Sequence, residues 1–318
     1  MSTKTTDFLP TLKATLHDVF ESTWNKPTEY DKCFDVEDSR DAYEDELQIQ
    51  GPDSVPQAAE GSVFEQLEIE NVRSKRFTHL IYKAQIKVTK EAIADIKYKQ
   101  CVDAVKKLAV AGQRTIERVA VAVLINGLNG SETTPDGLPL FSTAHVLSNP
   151  LNGAAATASN RAAADGQLSI TNVRNMRTLG MKTVDEHGSL APCMFGRLIV
   201  PPDLEDEAHA IKESALKPGL YTGVGGVNDK NTTGPKIEDI TRLTFLAENP
   251  ANASTQWFMR DDEVARNKVF WRVRPEKSFL REETSDDYVY RLYFRMSAGA
   301  SDWRGLYGSM GTGATTAL

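Results

Sequence analysis

Cysteine is scarce in this sequence. Cys33, Cys101 and Cys193 are odd in number and far apart, so they supply neither a disulfide framework nor a CxxC metal knuckle. Isolated cysteines of this kind serve as small buried apolar side chains. Histidine is equally thin, and His17, His79, His145, His187 and His209 show no H-x-x-x-H spacing, so no metal and no cofactor is expected. Long apolar runs are missing too. Nothing approaches the ~18 uninterrupted apolar residues of a membrane span, and the polar start MSTKTTDFLP lacks a signal-peptide apolar region. The chain is expected to fold and stay in the cytosol, without a membrane partner.

An excess of positive charge is also absent. The 318 residues carry a net charge of -7, and the first 60 hold 14 Asp/Glu against 5 Lys/Arg, or -9. The remaining 258 residues are left at +2. A body so close to neutral has no basic stripe for gripping a phosphate backbone, which excludes specific nucleic-acid recognition. The acidity belongs to an N-terminal arm, expected to be a solvated face or to lie on the Lys/Arg surface of a neighbouring subunit.

The signatures of catalysis are missing as well. There is no G-x-S-x-G elbow; the nearest string, Gly308-Ser309-Met310-Gly311, lacks the first glycine. Ser142 and His145 in DGLPLFSTAH (136–145) put a hydroxyl near an imidazole, the raw material of a hydrolase. A buried corner is favoured instead, with Ser142 or Thr143 capping a turn and His145 bonding to its backbone. Gly223-Val-Gly-Gly-Val227 has no following Gly-Lys-Ser/Thr and reads as part of a mobile loop, residues 217–236. Asp261-Asp262-Glu263 reads as an acidic turn rather than a cation site. Asn129, Asn231 and Asn252 head N-x-S/T triplets, which matter only in a secreted protein. No catalytic, cofactor-binding or metal residue is assigned, and the chain is expected not to be an enzyme.

What is present is shape. Residues 1–48 mix an amphipathic turn, LKATLHDVFESTW, with the acidic run DVEDSRDAYEDELQ, and GPDSVPQAAEGS breaks any regular element. From Val63 to Thr89 two strand-like runs, FEQLEIENV and RFTHLIYKAQIKVT, flank RSK and predict a long hairpin. The period then becomes helical. Val105, Leu108, Ala109, Gly112, Ile116, Val119, Ala120, Val123 and Leu124 mark one buried face of a helix from about Glu91 to Ile125, with Asn126-Gly127 as its stop. A helix over 169–184 capped by Ser169 or Thr171, a strand at 195–200, a helix over 204–214 and strands within 240–300 complete an α+β chain with no internal repeat. A hairpin alone is marginally stable in water, so neighbours are expected to cover it.

The strings KVTKEAIAD (87–95), DGLPLFSTAH (136–145), LSITNVRNM (168–176), RLIVPPDLEDEAHAI (197–211), TQWFMRDD (255–262) and SDWRGLYG (301–308) follow in a distinctive order. In that order the chain resembles the major capsid proteins of tailed bacteriophages with the Hong Kong 97 type fold, in particular the Mu-like prophage major head subunit branch. The resemblance spans roughly 60–310 and is weakest over the first forty-odd residues. It implies an N-terminal arm (1–50), an extended β-hairpin loop (51–89) overlying an adjacent subunit, a peripheral domain with the spine helix (90–167), an axial domain (168–265), and return strands with a C-terminal tail (266–318).

The function so implied is structural: a major capsid protein, self-assembling as pentamers and hexamers into an icosahedral shell around double-stranded DNA that it contacts non-specifically. The implied partners are copies of itself, a separate scaffolding protein, a portal and a decoration protein, in a virion capsid assembled in the host bacterial cytoplasm. No motif assigns covalent cross-linking, so Lys75, Lys83 and Lys87 are not designated cross-linkers. The rival readings are an encapsulin-like nanocompartment shell, a hydrolase using Ser142/His145, and a monomeric binding module.

Overall fold

The computed structural model describes residues 5–52, 54–64, 66–67, 69–91, 98–148, 150, 157–215, 230–282 and 287–313. The periodic stripe read from the sequence does form a spine. Helix α2 runs Tyr98–Asn129, 32 residues, about 48 Å at 1.5 Å per residue. Val105, Leu108, Ala109, Ile116, Ala120, Val123 and Leu124 are all buried along it. The helix passes through the expected stop and ends before Gly130, whose φ of +86° is the left-handed conformation that terminates helices. Gly127 serves closeness instead: a Cβ there would lie 3.0 Å from Leu140 Cβ and from Phe141 Cδ2.

Two four-stranded sheets divide the molecule. The first takes strands β1 (Asp35–Asp38), β10 (Asn267–Arg281), β11 (Tyr288–Ala300) and β4 (Leu80–Val88), in the order β1-β10-β11-β4. On β11 Tyr288, Tyr290, Leu292, Phe294 and Met296 alternate into the core beneath α2, as their period of two requires. The second sheet orders β12 (Leu306–Ser309), β9 (Trp257–Arg260), β7 (Arg197–Val200) and β8 (Asp239–Arg242). Helices α3 (Ile170–Met181) and α4 (Glu205–Glu213) contribute Val173, Met176, Ala208 and Ile211 to a smaller core on it. Ser169 is the N-cap of α3, its side chain accepting from the Asn172 amide at 3.2 Å. Of the segment expected to be strand at 240–248, only the start is; Thr244–Glu248 is a 3-10 turn.

The N-terminal arm is not detached. Helix α1 spans Thr5–Trp24, and Leu16, Phe20 and Trp24, four residues apart, share the face that packs on α2 and β11. The fit with α2 is close enough that a Cβ on Gly112 would come within 2.7 Å of both Trp24 and Leu292. Tyr30, Cys33 and Phe34 are buried, and the acidic stretch that follows becomes β1, parallel to β10. The arm's carboxylates meet cations of the same chain: Asp35 with Arg260 at 2.8 Å, Glu37 and Glu46 with Lys268 at 2.8 Å each, Asp38 with Arg274 at 2.9 Å, and Glu21 with Lys277. The expectation of a detached arm is overturned for α1, whose apolar stripe packs within the chain, whereas the acidic run from Asp35 onward stays largely exposed, as expected of a solvated face.

The hairpin expected over 63–89 is also differently paired. Strand β3 (Glu70–Thr78) pairs antiparallel with β2 (Tyr43–Gln50), whereas β4 pairs with β11. Residues 51–69 connect β2 to β3, so the ribbon begins in the acidic run, ahead of the GPDSVPQAAEGS break. The cause is alternation hidden by charge: in YEDELQIQ the apolar Leu47 and Ile49 alternate with Glu46 and Gln48, a strand pattern in an acidic composition. Of the loop expected at 217–236, residues 217–229 lie outside the described residues, as do 92–97 at the expected start of the spine.

Candidate assembly interface

The ribbon exposes apolar side chains that the rest of the chain leaves uncovered. Leu47 and Ile49 on β2, and Val55, Val63, Phe64 and Ile69 in the connection, are exposed; Phe64 is 99% and Val63 90% accessible. Exposed apolar side chains concentrated in one segment mark a contact site. The root of the ribbon, by contrast, is firmly held. Phe77 is buried with its ring 5.2 Å from Phe270. Lys75 pairs with Glu132 and donates to Thr133 O at 2.7 Å. Strand β3 continues into β4 through the single residue His79, whose Nε2 meets Ser39 Oγ at 2.9 Å and whose Nδ1 meets Ser297 Oγ at 3.0 Å.

Further out, one carboxylate gathers the ribbon onto the body. Glu186 is 4% exposed and accepts from Arg304 Nη2 at 2.9 Å, Ser148 N at 2.7 Å and Gln48 Nε2 at 3.0 Å, with Arg73 Nη1 at 3.7 Å. Burial acts to raise its carboxyl, but Arg304, the Ser148 amide and Arg73 outweigh that and hold it below the usual carboxylate range. Reasoning from sequence missed this residue. The available signal was the turn it sits in, where Asp185 Oδ1 accepts from the amides of His187 and Ser189 at 2.9 Å each.

The DGLPLFSTAH segment forms the corner between α2 and the second sheet. Leu140 and Phe141 are fully buried, and Phe141 lies against Gly308 and 5.3 Å from the Phe258 ring. His145 has no exposed side-chain surface and stacks on Trp303 with centroids 4.6 Å apart. Its Nδ1 meets Asp136 Oδ2 at 2.6 Å and its Nε2 meets Asn160 Oδ1 at 3.0 Å. Ser142 Oγ accepts the Ala144 amide at 3.2 Å, the turn cap expected of it, and is not hydrogen-bonded to the imidazole. Ser142 and His145 are therefore not brought together as a dyad. The expected bond from His145 to backbone is replaced by bonds to two side chains.

The other candidates are dispersed. Asp261 accepts Met194 N at 2.6 Å and Glu263 N at 3.0 Å, while Asp262 pairs with Arg197 at 2.8 Å and with Arg260. Asn231 is buried, donating to Ile211 O at 2.7 Å and accepting Gly234 N at 2.9 Å; Asn252 is buried as well. All three cysteines are buried and free, and burial pushes the Cys33 thiol up to about 12. Lys75 pairs with Glu132, Lys87 with Glu282 and Asp287, and Lys83 lies over the Tyr293 ring. Among the described residues no cluster of His, Cys, Asp or Glu is arranged to hold a metal ion, and no helix is long and apolar enough to cross a membrane. Residues 223–227 lie outside the described residues.

Comparisons with known proteins bear on the whole of this architecture. The backbone is similar to the virus-like particle from Pyrococcus furiosus, with a TM-score of 0.54 at 11% identity, over 93% of this chain and 98% of that one. It is similar to Microbacterium phage Oxtober96, with a TM-score of 0.52 at 11% identity over 89% and 92%. It is also similar to the procapsid of bacteriophage JBD30, with a TM-score of 0.50 at 14% identity over 99% and 77%. No curated protein matches the sequence. At such low identities these likenesses are of fold, and the fold is the Hong Kong 97 type capsid architecture. The family model described as phage capsid protein matches residues 75–309, from the ribbon's returning strand to the end of β12, and the chain belongs to that family.

Proposed function

We propose that the chain is the major head subunit of a tailed bacteriophage, of the Mu-like branch, building a closed icosahedral shell of pentamers and hexamers around double-stranded DNA. The observation that carries this reading, beyond family membership, is the ribbon: a held root and an uncovered apolar end. Burial of that end requires another molecule, and identical copies supply it by heterologous contacts whose rotations close. Each contact need only be modest, because neighbours already held raise the effective concentration for the next.

In this reading the ribbon and its connection form the loop overlying an adjacent subunit. Residues 90–167 with the returning strands of 266–318 form the peripheral domain, and 168–265 the axial domain. The smaller core, drawn almost wholly from 168–265, supports that division, while Ile199, Leu243, Leu246, Phe258 and Ala265 of the same range join the larger core and tie the two together. The protein acts as a structural element of the virion, assembled in the host bacterial cytoplasm with a separate scaffolding protein, a portal and a decoration protein. The near-neutral body suits a container that holds DNA without gripping it. The satisfied, separated Ser142 and His145 support a structural role over a hydrolytic one.

Electron microscopy and sedimentation of the purified full-length chain test the proposal. Closed particles of megadalton size are expected. A 35.1 kDa monomer under all assembly conditions would count against it. Particles that enclose protein cargo in place of DNA would select a nanocompartment.

A further inference from the structure

The outer face of the first sheet, opposite α2, carries a groove of about 500 Å³ lined by Lys83, Gln85, Glu276, Ser278, Arg291 and Tyr293. It opens where β10 departs from regular pairing with β11, between Val273 and Glu276. Lys277, which also lines it, pairs with Glu21, whereas Lys83 and Arg291 have no acidic partner among the described residues. Lys83 Nζ lies 5.9 Å from the Tyr293 ring centre, and Arg291 Nε donates to the neutral Gln85 at 3.3 Å. Arg295, two residues along β11 on the same face, extends the row, its buried Nε meeting no hydrogen-bond acceptor among the described residues. Ala84 and Leu292 also contribute to the lining, so the groove offers apolar surface together with positive charge.

The same sequence contains a segment of complementary character. Residues 51–69 hold Asp53, Glu60, Glu65 and Glu68 and not one Lys or Arg. Within that segment Val55, Val63, Phe64 and Ile69 are the exposed apolar groups described above. None of the described residues of this connection lines the groove of its own chain. The ribbon lies along the end of α2, with Lys75 at Glu132, Arg73 at Val146 O and Gly51 O at His187. The groove instead lies across the sheet from the stretch of α2 where Leu292 approaches Gly112. From Gly112 to Asn129 the helix rises about 25 Å, and the ribbon's Lys75 meets Glu132 just past that end.

The geometry points to the acidic, apolar connection 51–69 of a second copy of this chain docking into the basic groove at Lys83, Arg291 and Tyr293. The inference rests on the shell-forming reading and names the surface that covers the ribbon. Opposite charge fixes the register of such a contact while apolar groups supply its burial. Three unpaired cations and one carboxylate are too few and too mixed for a phosphate backbone, whose binding scales with the number of phosphates neutralised. The apolar groups of the connection have no use for that ligand either.

Two sets of variants of the full chain test the contact. In the first, Phe64→Cys is combined with Gln85→Cys, since the three native cysteines are buried. Mild oxidation of particles is expected to give a reducible ladder of linked subunits on a gel, and none from monomer. In the second, Lys83→Glu with Arg291→Glu is expected to lower particle yield about tenfold or more. Adding Glu60→Lys and Glu65→Lys is expected to restore it. Particles that form without the ladder, wild-type yield from the reversed groove, or failure of the compensating pair would each overturn the contact. Particles from the reversed groove that merely hold less DNA would overturn it in favour of a polynucleotide surface. A wild-type chain that forms no particles would sink the shell reading itself, a result distinct from these.

Discussion

Asn160 is the residue on which the corner between the two cores depends. Its Nδ2 donates to the carbonyls of Leu140, Trp303 and Leu306 at 2.7, 3.1 and 3.2 Å, which leaves Oδ1 to accept from Ser142 N and His145 Nε2. The amide orientation is thereby fixed, so His145 Nε2 donates. Asn160→Ala would leave several buried polar groups without partners, at roughly 1–3 kcal/mol for each one that stays unsatisfied. We expect a loss of about 3 kcal/mol or more in urea unfolding. A loss below 1 kcal/mol would mean that the corner is held by packing alone. The sequence identified DGLPLFSTAH as a buried corner because its small polar residues follow turn chemistry. It did not reveal Asn160, fifteen residues from His145 and inside a small-residue loop, since a hydrogen-bond partner across a fold leaves no local pattern.

At the scale of elements, the N-terminal helix is part of the body. Phe20 stacks on Trp24 at 5.4 Å and lies 5.8 Å from Tyr290, while Leu16 is 1% exposed. Each such side chain is worth ~1.5–3 kcal/mol when buried. Removing residues 1–24 is therefore expected to destabilise the remaining chain by roughly 5 kcal/mol in denaturant unfolding. A truncated chain as stable as the intact one would restore the picture of a dispensable arm. Helix α2 was legible because nine apolar residues repeat at three and four. The ribbon was legible as strands but not in its pairing: Leu47 opposes Ser74 and Tyr43 opposes Thr78 across a long connection, and nothing local chooses that partner over a nearer one. Strand β1, DVED, has poor strand propensity and is held by Lys268 and Arg260, a tertiary effect that composition conceals.

For the molecule as a whole, three carboxyls shape how stability depends on pH. Burial tends to raise Asp136, but bonds from His145, Thr134 and the Leu138 amide hold it below its ordinary value, and Glu186 is depressed likewise. Depressed groups stabilise the fold above their unfolded value, near pH 4, and that contribution is lost as pH falls further. Glu117 behaves in the opposite way. Burial pushes it up to about 7, against the amides of Glu29 and Tyr30 that it accepts at 2.7 and 3.1 Å. Its contribution is complete below about pH 4.5 and fades as pH rises through about 7. Stability should therefore peak between these limits. Glu117→Gln, which keeps one acceptor oxygen, is expected to flatten the fall between pH 5 and 8 by on the order of 1 kcal/mol and leave the acid limb intact. An unchanged profile would show that Glu117 stays ionised. The junction at His79 has a mechanical consequence. Because β3 passes into β4 without a loop, a neighbour tugging the ribbon lengthwise strains the whole β4–β11 ladder in shear, every rung at once, while a sideways tug peels the rungs one by one. A shell whose subunits shift relative to one another would thus find its straps stiff along one axis and yielding across the other.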